Sequence, residues 1–336
     1  MGCLQAMTTL AGRHILVTGA GGFIGGHLVE RLVRDGARVR AMCRYNSRND
    51  RGTLDWLDAE VTAEVEVVLG ELRDIESVAA AVDGAEVVLH LGAQIAIPYS
   101  YVNPRDFVEV NVLGTLNVAH AALRQGVARI VHTSTSEVYG TAQSVPITEA
   151  HPLEPQSPYA ASKVAADKLM DSYRRSFDLP VTVLRPFNTY GPRQSARAII
   201  PTIIGQALTG STLRLGSLHP RRDLTFVEDT TAAFVAAAIS EAAIGRTVNI
   251  GTDHDVSVGD LVEMVSDVLG RELTVETDPA RLRPPNSEVE RLRASPALAG
   301  ELLGWAPRVE LREGLARTIA WIERNVGHYR VDDYVI

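Results

Sequence analysis

The sequence is poor in several features that define other classes of protein. It has only two cysteines, Cys3 and Cys43, too few for a disulfide framework or for a metal site of their own. No run of apolar residues approaches the length of a membrane span, and no leader with a cleavage site is recognisable. Acidic residues outnumber basic ones by 41 to 33, and the net charge of −8 disfavours general affinity for nucleic acid. We therefore expect a cytoplasmic protein with reduced cysteines, no metal, and neither nucleic acid nor membrane as a partner.

The apolar runs in the first 190 residues follow the pattern of an alternating α/β protein. Short runs that are apolar throughout, such as "HILVTGA", "AEVVLHLGA" and "LPVTVLRPFNTYG", alternate with longer amphipathic stretches such as "GFIGGHLVERLVRDG". Strands of this kind are buried on both faces, and helical connections between them produce a parallel sheet. We predict a doubly wound parallel sheet, a Rossmann fold, over residues 7–190.

The composition changes after residue 190. Loops rich in Pro and Arg occur there between shorter helices, among them "GPRQSARAIIP", "HPRRDLTF" and "RLRPPNSEVERLR". Such loops predict a smaller C-terminal lobe over residues 191–330 that binds an anionic ligand. We also expect the chain to cross back to the first domain near residues 225–250. With 336 residues, 46% of them apolar, the chain is long enough for both units.

The segment "TGAGGFIGGH" follows the first predicted strand and opens the first predicted helix. Glycines in this position let the backbone turn tightly and approach a pyrophosphate held at the helix N-terminus. We expect Gly19, Gly22, Phe23, Ile24 and Gly25 to bind a dinucleotide.

The second strand lacks the acid that commonly binds the adenosine ribose of NAD. It ends in Cys43 and Arg44, with Arg48 and Arg51 close behind. Arginines here are compatible with the 2′-phosphate of NADP, and equally with NAD if Arg44 stacks on adenine or lies in solvent. The sequence therefore predicts a cofactor contact at Arg44 and leaves the choice between NAD and NADP open.

A tyrosine and a lysine in "SPYAASK" have the spacing of a catalytic pair. Tyr159 and Lys163 are four residues apart, which places them on one face of a helix. A nearby ammonium favours the phenolate, so we expect a lowered pKa for Tyr159. The pair predicts a tyrosine that acts as a base near neutral pH.

Together these motifs resemble those of the extended short-chain dehydrogenase/reductases that act as nucleotide-sugar epimerases and dehydratases. The likeness covers nearly the whole chain, through "TGAGGFIGGH", "NVLGTLNV", "TSTSEVYG", "SPYAASK", "RPFNTYGP" and "RRDLTFVED". It implies that Thr135 hydrogen-bonds the 4-hydroxyl of a nucleotide-diphosphate sugar, that Tyr159 takes the O4 proton, and that Lys163 holds the nicotinamide ribose. It also implies a tightly bound NAD, with NADP still open, that is reduced and reoxidised within one turnover. The remaining implied cofactor contacts are Glu71, Leu72, Leu91, Ala93 and Asn111.

The resemblance extends to residues expected on the substrate side. Asn188 in "RPFNTYGP" matches an asparagine that contacts the nucleotide diphosphate. Arg222 and Arg283 match arginines that clamp the phosphates, a task suited to a planar and permanently charged group. Arg193 is a further candidate contact to the sugar or a phosphate.

The acid in "TSTSEVYG" decides which reaction we expect. Simple epimerases carry small neutral residues in the two positions after Thr135, whereas this chain has Ser136 and Glu137. The triplet resembles GDP-mannose-type 4,6-dehydratases, in which the glutamate serves C5 and C6 as base and acid. A carboxylate is sufficient for this step because a ketone at C4 acidifies the C5 proton. We predict catalytic roles for Thr135, Ser136, Glu137, Tyr159 and Lys163 in an NAD(P)-dependent nucleotide-sugar 4,6-dehydratase.

Three alternatives stay open at this point. One is a 4-epimerase of a UDP-hexose or UDP-glucuronate, in which Glu137 orients the sugar or takes no part in the chemistry. Another is a UDP-glucuronate decarboxylase, because decarboxylases share the same triplet. The third is a dinucleotide-sensing regulator without catalysis, which the joint presence of Thr135, Tyr159 and Lys163 disfavours.

Two further expectations come from the resemblance alone. Segments such as "QIAIPYSYVNP" and "RYNSRND" are most similar to the GDP-sugar 4,6-dehydratases of legionaminic-acid routes, which act on an N-acetylglucosamine nucleotide. The helices near residues 106–124 and 159–177 are expected to pair with their copies in a homodimer.

Overall fold

The structure is a computed structural model that describes residues 7–329, so Cys3 and residue 330 lie outside the described part. Its strands are β1 (His14–Thr18), β2 (Arg38–Cys43), β3 (Val65–Leu69), β4 (Val87–His90), β5 (Arg129–Thr133), β6 (Val181–Pro186), β7 (Asn188–Tyr190), β8 (Thr212–Leu215), β9 (Arg221–Phe226), β10 (Thr247–Ile250), β11 (Asp255–Ser257), β12 (Thr274–Thr277) and β13 (Arg291–Leu292).

The helices alternate with these strands. They are α1 (Phe23–Arg34), α2 (Ala59–Ala63), α3 (Ile75–Val82), α4 (Ile97–Val102), α5 (Pro104–Phe107), α6 (Gly114–Gln125), α7 (Pro158–Phe177), α8 (Ile199–Thr209), α9 (Val227–Ile239), α10 (Val258–Leu269), α11 (Ala297–Leu303) and α12 (Leu311–Arg324). A π-helix, Val108–Leu113, precedes α6, and a short 3-10 turn, Ser136–Tyr139, follows β5. Within residues 7–329, none of the helices is both long and apolar enough to cross a membrane.

Seven parallel strands form the central sheet, in the order β10-β6-β5-β4-β1-β2-β3. The prediction of a doubly wound Rossmann sheet is confirmed. Strands β1 and β4 are adjacent in space but not in sequence, so the strand order reverses between them. In open α/β sheets this reversal creates a crevice at the carboxyl ends of the strands, where ligands bind. The segments that follow β1, β4, β5 and β6 meet at that edge.

Each face of the sheet is covered by helices because both faces are apolar. Helices α1 and α9 cover one face through a core that includes Leu28, Leu32 and Phe234. Helices α3, α6 and α7 cover the other face, with Val78, Val118 and Met170 among the buried side chains. Burial of this kind stabilises a fold by roughly 25 cal/mol per Å² of apolar surface removed from water.

A second group of elements follows β6. Strands β7, β9, β11 and β13 form a small sheet, β8 pairs with β12, and helices α8, α10 and α12 pack against them. The chain nevertheless returns twice to the large sheet. Strand β10 pairs with β6, and α9 packs on α1, within the region where a crossing was expected. Helix α11 packs on β10 and α9, and this second return was not anticipated.

Candidate active site

The turn after β1 has the shape of a phosphate cradle. Gly19 has a φ of +67°, and a Cβ atom there would lie 2.7 Å from the backbone nitrogen of Gly92. A Cβ on Gly25 would lie 2.2 Å from the carbonyl oxygen of Gly19. Only glycine fits either position, so the start of α1 packs directly against the turn. Gly22 is the N-cap of α1 and provides no side-chain cap, which leaves the first-turn amides, including those of Phe23 and Ile24, available to an anion.

The predicted contacts along the rest of the cofactor crevice lie at neighbouring strand ends. Leu91 and Ala93 follow β4, and Leu72 is buried beside Gly92. Glu71 forms an ion pair with Arg73 at 3.0 Å, and Arg44 is exposed immediately after β2. Burial acts to raise the pKa of Glu71, but hydrogen bonds from Arg73 and the charges of Arg73 and Arg44 hold it below its usual value.

Protein atoms occupy the side-chain amide of Asn111, another of the predicted cofactor contacts. Its Oδ1 accepts from the Gln94 backbone at 2.7 Å, and its Nδ2 donates to the Gln94 carbonyl and to Ser162 Oγ, both at 2.9 Å. The π-helix provides the local geometry that buries Asn111 here. The residue links the segment after β4 to α7, the helix that carries Tyr159 and Lys163.

The Thr-Ser-Glu triplet lies at the carboxyl end of β5, inside the protein. Thr135 is the N-cap of the 3-10 turn, and its Oγ1 accepts a hydrogen bond from the Glu137 amide at 3.2 Å. Ser136 is buried, and Glu137 is only 8% exposed. A buried carboxylate is costly unless the surroundings use its charge, so Glu137 is not an ordinary surface acid at the end of a strand.

Helix α7 brings Tyr159 and Lys163 to the same place. Ser157 caps the helix by accepting from the Ala160 amide, and Pro158 occupies the first helical position. Tyr159 and Lys163 are both buried one turn apart. Lys163 and Lys168 are the only lysines among the 33 basic residues of the chain. An amine that can lose its proton is therefore placed at this buried position in a protein that otherwise uses arginine.

The predicted lowering of the pKa of Tyr159 is not found. Burial raises the pKa of this phenol, and the charges of Glu137 and Asp167 add to the increase, while a hydrogen bond with Thr135 opposes it. Lys163 is not among the groups that shift this pKa, and its Nζ donates to the Thr133 carbonyl at 2.6 Å. Burial also lowers the pKa of Lys163 to about 8, although the charge of Asp167 counteracts this.

Asp167 is a buried acid that the sequence analysis missed. It lies one turn beyond Lys163 on α7, and its Oδ2 accepts from Ser134 Oγ at 2.7 Å and from Arg185 Nη2 at 2.9 Å. His132 Nε2 lies 3.3 Å from its other oxygen. Burial acts to raise the pKa of Asp167, but these partners and the charge of Lys163 hold it below the usual value. The spacing of Tyr159, Lys163 and Asp167 on one helix face was the signal that could have revealed it.

The substrate-side residues divide into two groups. Asn188 lies in β7, which pairs with β9, the strand that carries Arg222. Arg222 is buried and feels the charges of Glu137, Arg283 and Glu288, which places all four groups in one electrostatic neighbourhood. Glu288 was not singled out from the sequence, and no motif marks it. Arg193 stands apart from this group, because its Nη2 forms an ion pair with Glu30 of α1 at 2.6 Å.

Comparison with known proteins places this arrangement in a family. The sequence model of the family described as GDP-mannose 4,6 dehydratase matches residues 16–318. The chain belongs to the nucleotide-sugar dehydratases and epimerases of the extended short-chain dehydrogenase/reductase superfamily. The protein therefore belongs to a family of enzymes, and both 4,6-dehydratases and 4-epimerases are among its relatives.

Three relatives illustrate that range. A UDP-glucose 4-epimerase of Mycolicibacterium smegmatis is 37% identical over 311 residues, covering 90% of this chain and 96% of that protein. A dTDP-glucose 4,6-dehydratase of Streptomyces antibioticus is 34% identical over 315 residues, covering 93% of each. The crystal structure of DesIV, a dTDP-glucose 4,6-dehydratase of Streptomyces venezuelae with NAD bound, superimposes with a TM-score of 0.83 at 29% identity, covering 94% of this chain and 99% of that one.

Proposed function

We propose that this protein is an NAD-dependent nucleotide-sugar 4,6-dehydratase. The observation that carries the proposal is the burial of Glu137 beside Tyr159 and Thr135, with its charge acting on both Tyr159 and Arg222. An epimerase needs one base at O4. A second, carboxylate base inside the same site fits a reaction that also removes a proton from carbon and expels water.

The residues present fit NAD. The glycine turn excludes a Cβ atom at Gly19 and Gly25, and the uncapped start of α1 offers amides to the pyrophosphate. Leu72, Leu91 and Ala93 would line the crevice, and Lys163 would hold the nicotinamide ribose. A bound NAD would supply reversible hydride transfer to and from the sugar. We favour NAD over NADP because the similar DesIV structure holds NAD.

Tyr159 acts on the sugar first. Its phenolate accepts the O4 proton as C4 becomes a ketone, while Thr135 hydrogen-bonds O4 and keeps it within reach. Tyr159 resists ionisation because it is buried, so the enzyme needs positive charge close to the phenol to reach the phenolate. Lys163 donates its Nζ to the Thr133 carbonyl, so its role in this proposal is to hold the nicotinamide ribose.

Glu137 then carries a proton from C5 to C6. Its carboxylate removes the C5 proton, which the new ketone has acidified, and the resulting acid protonates the C6 hydroxyl as it leaves as water. Glu137 then takes up a proton from solvent and returns it to C5, and Tyr159 releases the O4 proton. The sugar loses one water in total, and no net oxidation occurs.

The arginines of the smaller lobe would hold the nucleotide diphosphate. Arg222 and Arg283 lie close enough for the charge of each to affect the other, and a dianionic diphosphate would neutralise both. Asn188 is proposed as a third contact. Arg193 is bound to Glu30, so we assign it to fixing the smaller lobe against α1 rather than to the substrate.

A 4-epimerase is the second candidate, because a UDP-glucose 4-epimerase is 37% identical to this chain. If this protein is an epimerase, Glu137 would orient the sugar, and the hydride would return to the opposite face of C4.

We also propose a homodimer. Apolar side chains are exposed along the segment from α4 through the π-helix, with exposed fractions of 68% for Val102, 50% for Val108 and 47% for Leu113. Phe177, at the end of α7, is 54% exposed. Val108, Leu113 and Phe177 belong to the two helical regions that are expected to pair, and Val102 lies just before the first of them.

Two substitutions test the proposed chemistry. Glu137→Gln keeps the size of the side chain but cannot accept the C5 proton. With substrate, this variant should reduce the cofactor and stop there, so that the reduced form accumulates and the absorbance at 340 nm stays high. Tyr159→Phe should show no cofactor reduction with the same sugar. A Glu137→Gln enzyme that still interconverts C4 epimers at a rate near that of the wild type would instead establish the 4-epimerase.

A further inference from the structure

Glu288 lies between the two arginines that are proposed to bind the diphosphate. Its Oε1 is 3.5 Å from Arg222 Nη2 and 3.6 Å from Arg283 Nη1. The side chains are largely buried, with exposed fractions of 14% for Glu288, 10% for Arg222 and 27% for Arg283. Both distances are longer than a charged hydrogen bond of about 2.7–2.9 Å, so the carboxylate neutralises the arginines without bonding either one closely.

The two arginines share one ion-paired carboxylate. In the part of the chain that the structure describes, Glu288 is the acid that pairs with both guanidinium groups, and the charges of Glu137 and Glu290 also act on Arg222. Burial lowers the pKa of Arg222 and the charge of Arg283 adds to this, while the charges of Glu137, Glu288 and Glu290 oppose it. Within residues 7–329, Arg283 Nη1 is also among the buried side-chain atoms without a hydrogen-bond partner. The arginines therefore keep hydrogen-bonding capacity that an anion with more acceptor oxygens than Glu288 could use.

The backbone around Glu288 is fixed independently of its carboxylate. Gln156 Nε2 donates to the Glu288 carbonyl at 3.3 Å, and Ser287 Oγ donates to the Gln156 carbonyl. Tyr101 is hydrogen-bonded to the same serine. Because these bonds involve only the main chain and Ser287, the Glu288 side chain can change rotamer without releasing the segment.

We propose that Glu288 is a placeholder carboxylate that keeps Arg222 and Arg283 in position until a nucleoside diphosphate displaces it. The inference rests on the proposed function, because it takes these arginines as the diphosphate site. Glu288 lowers the affinity for nucleoside diphosphates, since each must first displace an internal anion. Glu288 also discriminates against singly charged anions, because such an anion only exchanges one negative charge beside the arginines for another.

Calorimetric titration of the purified protein with UDP, GDP and dTDP tests this inference, with inorganic pyrophosphate and acetate as simpler anions. In Glu288→Gln the competing charge is gone, and the tightest-binding nucleotide should bind about tenfold more tightly, the order expected when one charged contact no longer competes. Glu290→Gln is the matched control. It removes an equal charge two residues away, where Glu290 pairs with exposed His219 at 3.1 Å and acts on Arg222 more weakly than Glu288 does. The dissociation constant of the nucleotide from Glu290→Gln should therefore change less than threefold.

Each outcome has a distinct meaning. Weaker or unchanged binding in Glu288→Gln overturns the placeholder role and makes Glu288 a support that the arginines require. Equal tightening in Glu290→Gln also overturns it, because the effect would then be one of general charge. If Glu288→Gln does not fold, Glu288→Asp retracts the carboxylate by one methylene and should give a smaller tightening. Wild-type protein that retains NAD but binds no nucleoside diphosphate would overturn the proposed function, and this inference with it.

Discussion

Glu137 and Tyr159 occupy one buried site. Burial raises the pKa of Tyr159, and the charge of Glu137 raises it further. A phenolate is therefore costly to maintain at this position. That suits a reaction in which Tyr159 gives up its charge on taking the O4 proton before Glu137 acts at C5.

Asp167 has a testable effect on the pH dependence through Lys163. Because the pKa of Lys163 is about 8, its ammonium is lost as the pH rises through that value, and cofactor reduction should fall with it. Asp167 supports the ammonium, so Asp167→Asn should move this alkaline limb to lower pH. The measurement is the rate of cofactor reduction from pH 6 to 10 under single-turnover conditions.

Asp171→Asn provides the control for that shift. Asp171 is the next acid along the same helix, but it is exposed and paired with Arg175 at 2.8 Å. Its loss should leave the alkaline limb in place. An identical profile for Asp167→Asn and wild type would show that Asp167 has only a structural role.

The sequence predicted which side chains lie close together better than it predicted their electrostatics. Local motifs marked the four side chains that lie near one another in the structure, namely Thr135, Glu137, Tyr159 and Lys163. Glu288 could not be predicted in the same way, since its significance depends on two arginines that are distant in sequence. The pKa of Tyr159 was wrongly predicted because helical spacing does not reveal burial or the carbonyl that Lys163 contacts.

At the level of secondary structure, the site depends on segments that follow the parallel strands. The glycine turn follows β1, Leu91 follows β4, and the Thr135 turn follows β5. The sequence predicted these strands because they are apolar throughout. It did not predict the π-helix at Val108–Leu113, since the hydrophobic pattern there is that of an ordinary helix.

The first turn of α1 gives a prediction about cofactor binding. In Gly25→Ala the added Cβ would meet the Gly19 carbonyl at 2.2 Å, so the cradle must distort. The purified variant should lose bound NAD and unfold at a lower temperature, with a cost of about 1–3 kcal/mol. Cofactor content after denaturation and the melting curve measure both effects.

Gly259→Ala is the matched substitution in the first turn of α10. The nearest atom to its added Cβ is 3.6 Å away, so alanine fits. This variant should keep its NAD and be more stable by about 0.5–1 kcal/mol, because alanine loses less chain entropy in a helix. Equal loss of cofactor from both variants would contradict the cradle assignment.

For the whole molecule, the change of pattern near residue 190 is clear in the sequence, but elements on both sides of it contribute to the large sheet. Strand β10 and helices α9 and α11 belong to the large sheet and its covering layer, although they follow that boundary. The small lobe is also held to α1 through Arg193 and Glu30. The sequence predicted one return of the chain, and the second was not predictable because α11 is short and carries no motif.

The proposed homodimer gives a prediction about molecular mass. Leu113→Glu should place a charge in the pairing surface and yield a monomer in light scattering, whereas wild type has twice the chain mass of 36.3 kDa. Leu218→Glu is the control, since Leu218 is 36% exposed on the smaller lobe. A monomeric wild type, or an unchanged mass for Leu113→Glu, would contradict this surface.

The fate of the C5 proton tests the dehydratase assignment most directly. The purified protein would be incubated in heavy water with UDP-, GDP- and dTDP-linked glucose, N-acetylglucosamine and glucuronate, and the products identified by mass and proton NMR. A dehydratase that uses Glu137 at C5 gives a product lacking one water, with deuterium at C5 and no net consumption of NAD. A product of unchanged mass, with an inverted C4 signal and no deuterium, would contradict the dehydratase and identify a 4-epimerase.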